Sequence, residues 1–226
     1  HPGPIAGTAL SSAGMTLASA GLQDLHVRLW QTDTLEEVSA LNAGAGVTGV
    51  ACSPVDRKVA AGLVDGQIVL WGGESGERIW AVKADQDRIW AITFSPDGRT
   101  LAAGTRTGLI KLFDAESGKE RAVWSGHSSR VWNVAYAPDG RYLASADDEG
   151  LIGLWDTSTG DCIALLNGHS GLRVRQVVFS ADSKWLLSAG FDQTARVWDL
   201  STRKVIATLA DHSSQCMRDN CAAPFL

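Results

Sequence analysis

His169, Ser188 and Asp192 have the residue types of a hydrolase triad: an imidazole base, a hydroxyl nucleophile and a carboxylate to orient the imidazole. They sit in or just ahead of the stretch SAGFDQTARVWD, residues 188–199, which also carries Trp198. The same types recur as His1, Ser19, Asp24 and Trp30, and, with glutamate for aspartate, as His127, Ser145, Glu149 and Trp155. An enzyme needs one such constellation, so three copies argue for a structural role and against a catalytic residue among them. His212 opens a further slot of the same kind, which leaves only His26, read as a surface residue of a strand. No imidazole remains for a separate metal or acid–base site. No P-loop, dinucleotide fingerprint or nucleophile elbow is present, and no cofactor is expected.

The elements that carry these residues follow from a repeat. Trp30, Trp71, Phe113, Trp155 and Trp198 succeed one another at steps of 41, 42, 42 and 43 residues, each after an apolar residue. Upstream of each lies an apolar strand starting at Ile5, Val47, Ile89, Val131 or Val174, and most of these run into a turn such as SPDG or APDG. A Gly-His pair precedes the strand at Gly126–His127 and Gly168–His169. In the fourth unit the strands are expected at 131–136, 141–146, 151–155 and 161–167. They are short, rich in β-branched and aromatic residues, and bounded by turn signals.

A period of this length, with Gly-His early and Trp-Asp late, marks a propeller blade. Over roughly residues 1–212 the chain resembles a WD-repeat protein. The resemblance implies an all-β fold, a WD-repeat β-propeller with five four-stranded blades at about 1–42, 43–83, 84–125, 126–167 and 168–210. It also implies a piece of a seven-bladed ring, with a non-repeat tail at 213–226. In that family the four recurring residues link the strands of a blade: the carboxylate accepts from the histidine and the indole N–H donates at the far end. Buried charge-assisted bonds contribute roughly 1.5–3 kcal/mol each. Unit two keeps only Asp65 and Trp71 of this set. Unit three has Asp85, Ala103, Thr107 and Phe113 in the four places, so Trp90, Phe94, Phe113 and Trp124 are expected to hold its blade by packing. A five-blade array leaves two blade faces bare, and an open arc, an oligomer or a poorly stable fragment is expected.

The net charge of −5 and pI of about 5.5 give no general attraction to phosphate backbones, so direct nucleic-acid binding is not expected. No run of 18 apolar residues suggests a membrane span. The four cysteines form no framework: Cys52 occupies a core slot, Cys162 an outer strand, and Cys216 and Cys221 the tail. This usage implies a reducing compartment, cytoplasm or nucleus. Cys216, Cys221 and His212 offer at most a loose three ligands, short of zinc's four, so no metal is expected.

Function is then expected on loops and rims. Arg88, Trp90, Arg130, Trp132, Arg173 and Arg175 fall before and at the start of the inner strands. Arg106 and Phe191 fall in the neighbouring loops. Trp and Arg are the residue types that dominate protein interfaces; Trp90 and Trp132 can equally pack between blades. Among WD-repeat proteins the chain is most similar to the small WD-repeat subunits of the superkiller (Ski) complex, which also occur with the Paf1 transcription elongation complex. The residues are LAAGTRTGLIKLFDAESGKE from Leu101, AYAPDGRYLASADDEGLIGLWD from Ala135, STRKVIATLADHSSQ from Ser201, and the unusual Phe113. That resemblance implies a scaffold without enzymatic activity, one protein of a multisubunit complex in messenger RNA decay or transcription elongation. A generic adaptor in a signalling or ubiquitin-ligase complex is the alternative, and a nucleic-acid binder a further one.

Overall fold

A computed structural model describes residues 1–11, 14–73 and 75–210. Twenty strands form five sheets of four, each a simple antiparallel meander. Blade one is β1 (Ile5–Leu10), β2 (Thr16–Gly21), β3 (His26–Gln31) and β4 (Glu37–Asn42). Blade two is β5 (Val47–Cys52), β6 (Val59–Leu63), β7 (Gln67–Trp71) and β8 (Arg78–Lys83). Blade three is β9 (Ala91–Phe94), β10 (Thr100–Gly104), β11 (Leu109–Asp114) and β12 (Glu120–Ser125). Blade four is β13 (Val131–Tyr136), β14 (Tyr142–Asp147), β15 (Leu151–Asp156) and β16 (Cys162–Asn167). Blade five is β17 (Val174–Phe179), β18 (Trp185–Gly190), β19 (Ala195–Asp199) and β20 (Lys204–Leu209).

Tight turns make the meander possible. Gly108 and Gly150 hold φ of 83° and 86° between the second and third strands of their blades, a region that L side chains rarely enter. A Cβ on Gly108 would also lie 2.3 Å from the carbonyl oxygen of His127. Blade five has Gln193 in this place, at φ 64°.

The core is divided among the blade interfaces. Val27, Leu29 and Leu41 pack on Val47, Val59, Leu63 and Trp71 between blades one and two. Ile68 and Leu70 meet Ile89, Phe94, Leu101 and Phe113 between two and three. Ile110, Leu112 and Trp124 meet Val131, Leu143 and Trp155 between three and four. Ile152, Leu154 and Leu166 meet Val174, Phe179, Leu186 and Trp198 between four and five. The aromatic that ends each unit therefore seals its blade against the one before. Among the described residues no blade packs on the outer side of Trp30, which is only half-buried, whereas Trp155 is 1% exposed.

The inner strands pack in chain order, β1 on β5, β5 on β9, β9 on β13 and β13 on β17; no such packing joins β17 to β1 among the described residues. The five blades form an arc. Its outward faces leave Ile5 and Leu10 of blade one, and Val178, Trp185 and Ile206 of blade five, exposed.

In blade three the packing differs from expectation. Phe94, Phe113 and Trp124 are buried, but Trp90 is half-buried and stands at the rim. Lys111 reaches into the space that the recurring residues fill elsewhere. Its Nζ donates to the Ala84 carbonyl at 2.6 Å and lies 4.0 Å from the Asp85 carboxylate. In blade two Asp65 has changed partner, accepting from Gln67 N and from Gln67 Nε2 at 2.7 Å. No helix among the described residues is long and apolar enough to cross a membrane.

Candidate functional site: a set of buried locks and an arginine–tryptophan rim

Three blades hold a four-residue hydrogen-bond chain. In blade five Trp198 Nε1 donates to Ser188 Oγ at 2.8 Å, His169 Nε2 lies 2.7 Å from the same oxygen, and His169 Nδ1 lies 2.9 Å from Asp192 Oδ1. In blade one the equivalent distances for Trp30, Ser19, His1 and Asp24 are 2.7, 2.6 and 2.7 Å. The carboxylate can only accept, so Nδ1–H donates to it; in the neutral imidazole Nε2 then accepts the serine proton, and the serine oxygen accepts the indole N–H. Arginines on the third strands buttress the two aspartates. Arg28 Nε donates to Asp24 at 3.0 Å and Arg196 lies 3.5 Å from Asp192. Burial alone would raise these carboxyls. The bonds from Arg28 and His26, and those from His169 and Thr194, hold Asp24 and Asp192 below the usual carboxylate range.

Blade four departs from the spacing. His127 Nε2 lies 2.6 Å from Ser145 Oγ and Trp155 Nε1 donates to that oxygen at 2.8 Å, but His127 Nδ1 meets Asp147, at 2.8 Å, and not Glu149. Glu149 instead accepts from Ser128 Oγ at the surface. The reason is steric. Asp147 occupies the ladder position that Gly190 holds in blade five, opposite the first residue of the inner strand. A Cβ at Gly190 would lie 2.5 Å from His169 Nδ1, and in blade five Asp192 reaches the imidazole from the following turn instead. With an aspartate already at that position, the turn carboxylate is not needed.

Ser145 and Ser188 are buried, and each oxygen is engaged by both an indole and an imidazole. No group of three His, Cys, Asp or Glu side chains is gathered for a metal among the described residues; His212, Cys216 and Cys221 lie outside them.

The second cluster lies at one rim of blades three to five. Each of β1, β5, β13 and β17 carries a bulge one residue into the strand, at Ala6, Thr48, Trp132 and Arg175. A bulge re-aims the side chain it carries. Trp90 stands in the corresponding place just before β9, its backbone N–H donating to the Gly104 carbonyl. Two residues upstream stand Arg88, Arg130 and Arg173. The backbone N–H of Asp148 donates to the Arg130 carbonyl and that of Phe191 to the Arg173 carbonyl, which draws the adjoining loops against them.

The side chains interleave. The Trp90 and Trp132 rings lie 4.4 Å apart across the blade boundary. The Arg130 guanidinium lies over both, 4.3 and 5.0 Å from their centroids. Arg173 lies between Trp132, at 4.1 Å, and Phe191, at 4.9 Å. Arg88 lies 4.7 Å from the Trp90 centroid, and Arg175 sits 5.4 Å from Trp132. Both tryptophans are half-buried, packed on each other across the blade boundary. Asp148 pins the centre, accepting from Trp132 Nε1 at 2.5 Å and Arg173 Nε at 2.6 Å. Burial would raise its carboxyl, but those bonds, with the charges of Arg173 and Arg130, hold it below the usual range. Arg106 stays outside the stack, paired with Asp87 at 2.8 Å.

Sequence reasoning passed over Asp147 as a lock residue and Asp148 as the clamp of the rim. Their signal was the acidic run 147–149, three carboxylates where units one, two and five carry one and unit three none.

A protein-family model described as the IFT122 first beta-propeller matches residues 1–218. No curated protein matches the chain.

Proposed function

The chain belongs to the IFT122 first beta-propeller family, of WD-repeat type, and from that premise we propose that it is a non-enzymatic scaffold that holds partner proteins at the Arg–Trp rim. The observation that carries this reading is the interleaved set Arg88, Trp90, Arg130, Trp132, Arg173, Arg175 and Phe191. Large planar side chains and guanidiniums, held by one another and half open to solvent, are the composition of interface hot spots. The rim is also local: the same bulge carries Ala6 in blade one and Thr48 in blade two, and Thr48 is buried and bonded to the Gly62 carbonyl. The burial and full engagement of the serines support the non-enzymatic part.

A narrower role, in an assembly like the superkiller complex and so in messenger RNA decay or transcription elongation, draws support only from the segments at Leu101, Ala135 and Ser201. An adaptor in another complex accounts for the rim equally well. The compartment we propose is cytoplasm or nucleus, supported by Cys52 and Cys162, free thiols in separate blades.

Affinity capture with the whole chain, followed by the Trp132→Ala and Arg175→Ala variants, tests the scaffold reading. We expect partners whose recovery falls at least about tenfold with either variant while the melting temperature of Arg175→Ala is retained. Recovery unaffected by both variants would sink the reading.

A further inference from the structure

The rim has a surplus of hydrogen-bond donors and too few acceptors. A guanidinium stacked over an aromatic ring presents its plane to the ring and keeps its N–H edge for an acceptor. Four arginines lie over ring faces at 4.1 to 5.4 Å, Arg88, Arg130, Arg173 and Arg175. One carboxylate, Asp148, meets them, and two of its bonds go to Arg173 and Trp132. Arg130 Nε is 3.8 Å from Asp148, too far for a hydrogen bond. Asp87 is taken by the Arg106 side chain and the Arg88 backbone N–H. Glu149 accepts from Ser128. Among the described residues the side chains of Arg88 and Arg175 have no hydrogen bond or ion pair.

A second observation falls at the same place. Among the described residues, three buried side-chain polar atoms lack a hydrogen-bond partner: Trp90 Nε1, Ser129 Oγ and Arg130 Nε. All three belong to this rim, at the junction of blades three and four. Buried polar groups are ordinarily satisfied, so orphans gathered at one site point to a missing acceptor.

The charge agrees. Arg88, Arg106, Arg130, Arg173 and Arg175 face Asp87, Asp148 and Glu149, a positive surface on a chain of net charge −5. The complement is negative, rich in acceptors and short. Planar carboxylates match guanidinium edges in pairs. A long polyanion fits less well, since its phosphates beyond the rim would meet an acidic protein. We propose that the rim of blades three to five binds an acidic peptide segment of a partner protein, its carboxylates taken by the free edges of Arg88 and Arg175. This rests on the scaffold reading and adds the chemistry of the partner to it.

The test is a random peptide library on phage, panned against the whole chain and, in parallel, against the Arg88→Gln, Arg175→Gln double variant, which removes both guanidiniums and keeps a polar amide at each position. A labelled single-stranded oligouridylate is titrated alongside. We expect rim-dependent clones enriched in Asp and Glu. A synthetic peptide of the best clone should bind the double variant about tenfold more weakly, and so should its Asn/Gln counterpart bind the unmodified chain. A neutral or basic rim-dependent pool overturns the acidic partner and leaves the scaffold reading standing. No rim-dependent clone, together with capture that ignores Arg175→Ala, overturns both. Oligouridylate binding tighter than any peptide, and lost in the double variant, replaces the peptide by a nucleic acid.

Discussion

Asp147 and Asp148 are neighbours in the chain and belong to opposite parts of the molecule. Asp147 is fully buried and completes the His127–Ser145–Trp155 chain. Asp148, one residue on, leaves the strand and pins Trp132 and Arg173 at the rim. The lock is saturated, with its serine, imidazole and indole paired inside the blade. The rim is unsaturated, with two free guanidinium edges and three buried atoms without partners. Residue types alone would favour the lock as a site of chemistry, since it has the triad. Satisfaction of hydrogen bonds reverses the assignment: groups that have spent their bonding capacity on one another hold the fold, and groups left with donors to spare are available to something else.

The sharpest way to break this contrast is to exchange the two carboxylates of blade four. Asp147→Ala leaves a buried imidazole without its acceptor and should cost about 3 kcal/mol in urea denaturation, whereas Glu149→Ala should change stability by less than about 0.5 kcal/mol. The reverse order would restore Glu149 as the lock residue.

Acid should weaken lock and rim together. The Asp24, Asp148 and Asp192 carboxyls lie below the usual range in the folded chain. A depressed folded pKa contributes stability that is present above the unfolded value, about 3.9, and lost as pH falls through the folded value. The urea midpoint should therefore drop as the pH is taken below about 4, and Asp192→Asn and Asp148→Asn should each flatten that drop. A drop unchanged in both variants would remove these carboxylates from the account.

Within the rim, Arg173→Ala takes a charged donor from Asp148 and should cost about 1 kcal/mol. Arg88→Gln and Arg175→Gln should each stay within about 0.5 kcal/mol of the parent. Equal costs for all three would mean that the free edges are not free. The smallest expected effect is a gain. Gln193 holds a left-handed conformation where Gly108 and Gly150 stand in blades three and four, so Gln193→Gly should stabilise blade five by roughly 0.5 kcal/mol. A loss there would show that the Gln193 side chain does more than fill the turn.

Much of the fold was legible in the sequence because it is written five times. The aromatic spacing located the blades, and the strands expected in unit four fall within one residue of those observed. The serine, histidine and tryptophan of each lock were legible for the same reason. Asp147 was not, because linear spacing aligned Glu149 with Asp192 and could not weigh a carboxylate reaching the imidazole from the strand against one reaching it from the turn. The exchange of Asp65 onto Gln67 and the entry of Lys111 beside Asp85 were hidden likewise, since both are choices of partner in space. The rim residues could be named from their loops, but their interleaving depends on bulges at Trp132 and Arg175 that the strand pattern does not announce. The bare faces of the arc follow from counting units, and exposed Trp185 and half-buried Trp30 are their physical sign.

The measurement that bears most directly on the division between lock and rim is partner capture by folded protein, carried out well below the melting temperature of every variant. Ser188→Ala should melt several degrees lower, about 2–4 °C for each kcal/mol lost, yet recover partners as the parent does. The Arg88→Gln, Arg175→Gln pair should melt with the parent and recover them at least about tenfold less. Partner loss in folded Ser188→Ala with full recovery by the arginine pair would contradict the account.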